Sequence, residues 1–169
     1  MPLLRDRFFW IPLYLFLFIV LVKKYGKQGV IILLFFVATF GIADFFSASV
    51  IKPVVERLRP CNDPLIKAYV HSVVPCGTGH SFPSTHATNH FAMAIFLVTV
   101  FYQRWKYILP LTLLWAFSIG FAQIYVGLHY PLDVFGGGCI GSIIGYLTGK
   151  IYLSRYQSTS SLLKNNNHQ

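Results

Sequence analysis

Five apolar runs constrain this chain more than any other feature. They cover residues 8–22, 29–51, 87–102, 107–127 and 131–153, with short polar stretches between most of them. A bilayer core about 30 Å thick needs about 20 apolar residues in a helix, and a helix satisfies its own backbone hydrogen bonds in lipid. The second, fourth and fifth runs reach that length alone. The first and third must borrow neighbours such as Leu3, Leu4, Gln103 and Trp105. Arg5 and Arg7 ahead of the first run suggest a signal peptide. However, Lys23, Lys24, Tyr25 and Gly26 follow it with no small-residue cleavage site, so the run is read as a retained span. The expected fold is all-α: a polytopic transmembrane bundle of about five spans, forming one domain over residues 1–156. Residues 157–169 are polar, include an Asn run, and are expected to be a disordered cytoplasmic tail.

Charge sets the orientation. Only 11% of the residues are charged, against about 25% in a typical soluble domain. The net charge of +9 is spread over short clusters between apolar runs, which disfavours a nucleic-acid face. Lys23, Lys24 and Lys27, then Arg104 and Lys106, then Lys150, Arg155 and Lys164 all fall on one side of a five-span chain. Basic loops stay in the cytoplasm. The N-terminus, the loop 52–83 and the turn 128–130 therefore face outward from a plasma or inner membrane, toward the periplasm or exterior. Lys52, Arg57, Arg59 and Lys67 lie in that outer loop against the trend, and so call for a role of their own.

The remaining punctuation is structural. Gly137, Gly141, Gly145 and Gly149 line one face of the fifth run and allow close helix approach. The three cysteines have no zinc-like spacing, and Cys139 sits in an apolar run. Cys61 and Cys76 share the outer loop, where an oxidising compartment would join them; two free thiols are the alternative.

Three outward elements carry chemistry. In KPVVERLRP, residues 52–60, a continuous helix would put Lys52 and Arg59 on one face about two turns apart. Two cations there suit an anion with several oxygens, although snorkelling to lipid headgroups would also explain them. In SFPSTH, residues 81–86, Ser84 reads as a helix N-cap. The first-turn amides then form an anion site, with Thr85 and His86 beside it. In QIYVGLHYPLD, residues 123–133, Pro131 suits a first helical turn and places Asp133 four residues after His129. A carboxylate so placed can hold one imidazole nitrogen and leave the other free to attack. An acidic residue favoured by the helix dipole is the plainer reading. Each element has such a plain reading alone. Together they put Lys, Arg, Ser, two His and Asp at span ends on the same side.

The order K-x6-R-P, P-S-x-H, H-x3-D resembles the type-2 phosphatidic acid phosphatase family, from Asp44 to about Gly138. FFWIPLYL, residues 8–15, is similar to an early span of bacterial members. The resemblance implies a helical bundle with an external site, a phosphohistidine intermediate and no metal or other cofactor. It implies His129 as nucleophile, Asp133 as its orienting partner and His86 as general acid. Lys52, Arg59, Ser84 and Thr85 would hold phosphate, with Gln123 at the place of a family arginine. The family's third motif usually begins Ser-Arg, where this chain has Ala122 and Gln123. Two spans precede the first motif, where six-span members have three. The counterpart of the missing one would lie before Phe8.

The implied substrate is a membrane lipid bearing phosphate: a polyprenyl diphosphate, lipid A 1-phosphate, phosphatidylglycerol phosphate or phosphatidic acid. A lipid-to-lipid phosphotransferase would use the same residues. A transporter would put its ionisable groups near the midplane, where this chain has only Asp44. An inactive lipid-binding relative is disfavoured by the intact His86, His129 and Asp133. Asp44, Asn89 and His90 are read as polar packing, and His71, His80 and His168 as solvent-facing.

Overall fold

The computed structural model describes residues 2–157, and among these there are helices and loops but no β-strand. A turn at Pro2–Arg5 and a 3-10 turn at Arg7–Trp10 lead into α1 (Ile11–Tyr25), with Pro12 in its first turn. Gly26, at φ 54°, breaks the chain between α1 and α2 (Lys27–Phe45). The helical path continues through a π-helical stretch, Phe46–Ile51, into a single turn, Lys52–Val55. After the outer loop come α3 (Thr85–Phe101), α4 (Ile108–Tyr125) and α5 (Pro131–Tyr152), then a π-helical turn Leu153–Gln157. The expected tail otherwise lies outside the described residues, and so does His168.

Four helical segments are long and apolar enough to cross a bilayer: Phe8–Tyr25, Lys27–Val55, Ile108–Tyr125 and Pro131–Tyr156. The fifth expected span, α3, has 17 residues, about 25 Å at 1.5 Å per residue. It is the most deeply buried helix, from Ala87 to Leu97 with little break, so protein rather than lipid surrounds it. In contrast, α1 exposes Leu15, Phe16 and Phe18 along its length. That apolar exposure is appropriate to a surface facing hydrocarbon.

The stripe of glycines on α5 sets the central contact. A Cβ at Gly141 or Gly145 would overlap the carbonyl oxygen of Thr88 or Ala92 on α3. Backbone therefore lies directly on backbone. At one end of this pair, Phe36, Met93, Phe96, Leu97 and Tyr152 form an apolar cluster with Leu21 and Ile32. The polar residues of the three motifs gather at the opposite end.

One local expectation is corrected. Lys52 and Arg59 do not share a helix face. The turn stops at Val55 because Glu56 adopts a left-handed conformation at φ 50°. Pro60 further disfavours helix at Arg59.

Candidate active site

Pro131 opens α5 and turns Asp133 back over its first residues. Asp133 is fully buried, and its carboxylate accepts from three donors. Arg57 Nη1 donates to Oδ1 at 2.9 Å, and the Tyr130 amide donates to Oδ2 at 2.8 Å. The Ser81 hydroxyl also donates to Oδ2. His129 Nδ1 lies 3.7 Å from that same oxygen, beyond hydrogen-bond range, and 3.4 Å from Ser81 Oγ. Asp133 thus approaches the imidazole at i,i+4 as expected, at ion-pair distance, and Ser81 stands between the two as a relay. Nδ1–H donates to Ser81 Oγ in a long hydrogen bond, and Ser81 donates to Asp133. This network suits the Nδ1–H tautomer and leaves Nε2 with its lone pair.

Sequence reasoning passed over Arg57 and Ser81. The signal for Arg57 was present: it is one of the cations of the loop 52–83 that run against the charge rule in the expected orientation. Its guanidinium also stacks 3.9 Å above the Tyr130 ring, and Tyr130 donates its hydroxyl to Asp63 at 2.8 Å. Burial pushes His129 below its ordinary value of 6.5, with the nearby Asp133 carboxylate pulling the other way and Arg59 and Lys52 adding to the lowering. The lowering favours the neutral imidazole.

The loop 52–83 is strapped in place. Cys61 and Cys76 are joined as a disulfide. Arg59 Nε donates to the Gly79 carbonyl at 3.2 Å, and the Ser81 amide donates to the Arg57 carbonyl at 2.7 Å. A cis Phe82–Pro83 bond leads to Ser84, whose amide donates to the Asp133 carbonyl at 3.0 Å. Ser84 caps α3 as expected, its hydroxyl accepting from the Ala87 amide at 3.5 Å.

Six of the expected site residues line one cavity of about 730 Å³: Lys52, Arg59, Thr85, His86, Gln123 and His129. Ser84 and Asp133 are buried beside it and are not among its lining residues. Gln123 is 1% exposed, and its Nε2 has no hydrogen-bond partner. The buried Thr85 hydroxyl has none either. The cavity also reaches Asp44 and Asn89, which were assigned to packing. Asn89 Nδ2 donates to Asp44 Oδ1 at 2.8 Å. His90, on the same wall, faces Trp115 edge-on at 5.0 Å and bonds the His86 carbonyl through Nδ1 at 2.7 Å. His71 is exposed and His80 half-buried.

Fold and site together define a multi-pass membrane protein with a histidine-bearing, cation-lined pocket at one end of its helical bundle. The sequence pattern of the PAP2 superfamily matches residues 28–157, and the chain belongs to that superfamily. It is 35% identical over 150 residues to a lipid A 4'-phosphatase of Bacteroides thetaiotaomicron, covering 87% of this chain and 66% of that protein. It is 30% identical over 145 residues to an undecaprenyl-diphosphatase of Sulfolobus acidocaldarius, covering 86% and 64%. The chain therefore spans just under two thirds of the length of these relatives. Among solved structures, it resembles a PAP2-type phosphatidylglycerolphosphate phosphatase from Bacillus subtilis. The TM-score is 0.65 at 24% identity, over 90% of this chain and 74% of that one. That likeness concerns the fold.

Proposed function

We propose that this protein removes phosphate from a membrane lipid through a phosphohistidine at the outward face of a plasma or inner membrane. The observation that carries this reading is the shared cavity of His86, His129, Lys52 and Arg59, with the Ser81–Asp133–Arg57 relay behind His129. The names of the relatives support it, since they are phosphatases of lipid A and of undecaprenyl diphosphate.

The reaction has two halves. His129 Nε2 donates its lone pair to phosphorus as the bond from phosphorus to the lipid oxygen breaks. His86, protonated, gives its proton to that departing oxygen. The imidazolium of the phosphohistidine keeps its Nδ1–H on Ser81, with the Asp133 carboxylate nearby to balance the charge. In the second half His86, now neutral, takes a proton from water as the water oxygen attacks phosphorus. The N–P bond breaks, phosphate leaves, and both histidines return to their starting state. Lys52, Arg59, Thr85, Gln123 and the α3 first-turn amides, set by the Ser84 cap, hold the phosphoryl oxygens. Fixed donors aimed at that charge supply most of the rate gain in such transfers.

The test is a rapid quench with substrate labelled in the transferred phosphate. Wild-type protein traps label, and folded His129→Ala traps none. Label retained by the variant would remove His129 as nucleophile.

A further inference from the structure

The proposed reaction does not use the deeper half of the cavity. Asp44 lies eight residues before Lys52 on the α2 path, about 12 Å toward the middle of the span. Asn89 lies nearly one turn below His86 on α3. Both line the cavity, and they are joined through the Asn89 amide nitrogen at 2.8 Å. If the pair only fastened α2 to α3, both ends of the Asn89 side chain would be satisfied. They are not: Asn89 is 5% exposed, and its Oδ1 has no hydrogen-bond partner. A carboxyl accepts several hydrogen bonds, and the Asn89 amide supplies one to Asp44. The wall below the proposed general acid therefore holds an acidic side chain and a buried amide oxygen that has no donor.

We propose that Asp44 and Asn89 form a subsite for hydroxyl or N–H donors on the leaving group. The substrate is then a lipid whose phosphate is esterified to a hydroxylated unit such as a sugar, rather than to a plain prenyl or alkyl chain. The inference rests on the proposed catalytic reading, because that reading sets the direction of the leaving group. With His86 protonating the departing oxygen, the atoms next to that oxygen lie against Asn89 and Asp44, and the acyl tails continue into the bilayer. A prenyl chain in this place would press methylenes onto the Asn89 carbonyl and the Asp44 carboxyl and leave both without partners. Buried polar groups left unpaired are the strongest means a site has of rejecting an analogue that lacks the matching group.

The experiment uses full-length protein in proteoliposomes and a matched pair of lipids. One is an acylated glucosamine phosphate; the other is its analogue with hydrogen in place of the hydroxyls flanking the phosphate. Wild-type kcat/KM should favour the hydroxylated lipid by about tenfold or more. In Asp44→Leu and in Asn89→Leu the ratio should collapse to within about twofold. A wild-type ratio already within twofold overturns the proposal, and needs no variant to fold. A wild-type preference that survives intact in both folded variants overturns it as well, because the discrimination then lies elsewhere. If wild-type protein releases phosphate from no lipid, the catalytic reading fails instead. The subsite is then judged by the ratio of dissociation constants for the same two lipids, on the same criterion.

Discussion

Gln123 offers a perturbation whose effects on stability and on ligand binding should have opposite signs. Its side chain is 1% exposed, lines the cavity with Lys52, Arg59 and His129, and carries an Nε2 with no partner. A buried donor left unpaired costs about 1–3 kcal/mol. Gln123→Met keeps the side-chain length and removes that donor. The empty protein should gain up to that amount, seen as a higher thermal midpoint in detergent. In the proposed reaction that amide donates to a phosphoryl oxygen, and a hydrogen bond to a charged group contributes about 1.5–3 kcal/mol. Gln123→Met should therefore weaken vanadate inhibition by about tenfold or more. Gln123→Arg should tighten it by about tenfold, equivalent to about 1.4 kcal/mol, since a charge-assisted bond is roughly twice as strong as a neutral one. Turnover need not rise with it, because tighter product slows release. The assay is a vanadate titration of phosphate release beside a thermal melt for each variant. Inhibition constants within twofold of wild type in both variants would refute the reasoning. So would a Gln123→Met protein that loses stability and inhibition together, because the residue would then be packing alone.

Three further expectations follow from the geometry. The proposed nucleophile must be neutral and burial holds His129 below 6.5, so the acid limb of the rate profile should fall below pH 6.5, for a monoester and a diphosphate lipid alike; a midpoint above 6.5 with both contradicts the burial argument. Activity should survive dialysis against EDTA, because Glu56 and Asp63 are the only acidic residues of the outer loop and Asp63 is engaged by Tyr130; a loss restored by magnesium would refute the histidine mechanism. Gly141→Ala should lower the thermal midpoint by the equivalent of about 1–3 kcal/mol, since its Cβ overlaps the Thr88 carbonyl. Gly41→Ala, whose Cβ meets nothing within 4 Å, should be neutral or slightly stabilising, and equal effects at the two sites would refute the packing account.

Much of the fold was legible in the sequence because apolar length, caps and helical spacing are local properties. Residues 87–102 and 131–153 read as spans, and α3 and α5 occupy Thr85–Phe101 and Pro131–Tyr152. Ser84 read as a cap and caps α3. The i,i+4 placement of His129 and Asp133 followed from Pro131 alone. Where the local rule met a conformational exception it failed: Glu56 enters the left-handed region and ends the helix that was to carry Lys52 and Arg59 together.

The partners of those residues were decided only by the packing of helices far apart in sequence. Arg57 reaches Asp133 across 76 residues, Ser81 reaches it across 52, and Asn89 meets Asp44 across 45. No periodicity encodes such meetings. They depend on how closely α5 lies on α3, which the absent Cβ atoms of Gly141 and Gly145 permit, and on the disulfide and backbone bonds that strap the outer loop over the bundle. Sequence fixes which groups stand at the ends of the spans. Tertiary packing fixes which of them touch, and so sets Ser81 between Asp133 and the imidazole of His129 and leaves the buried Asn89 carbonyl without a hydrogen-bond partner.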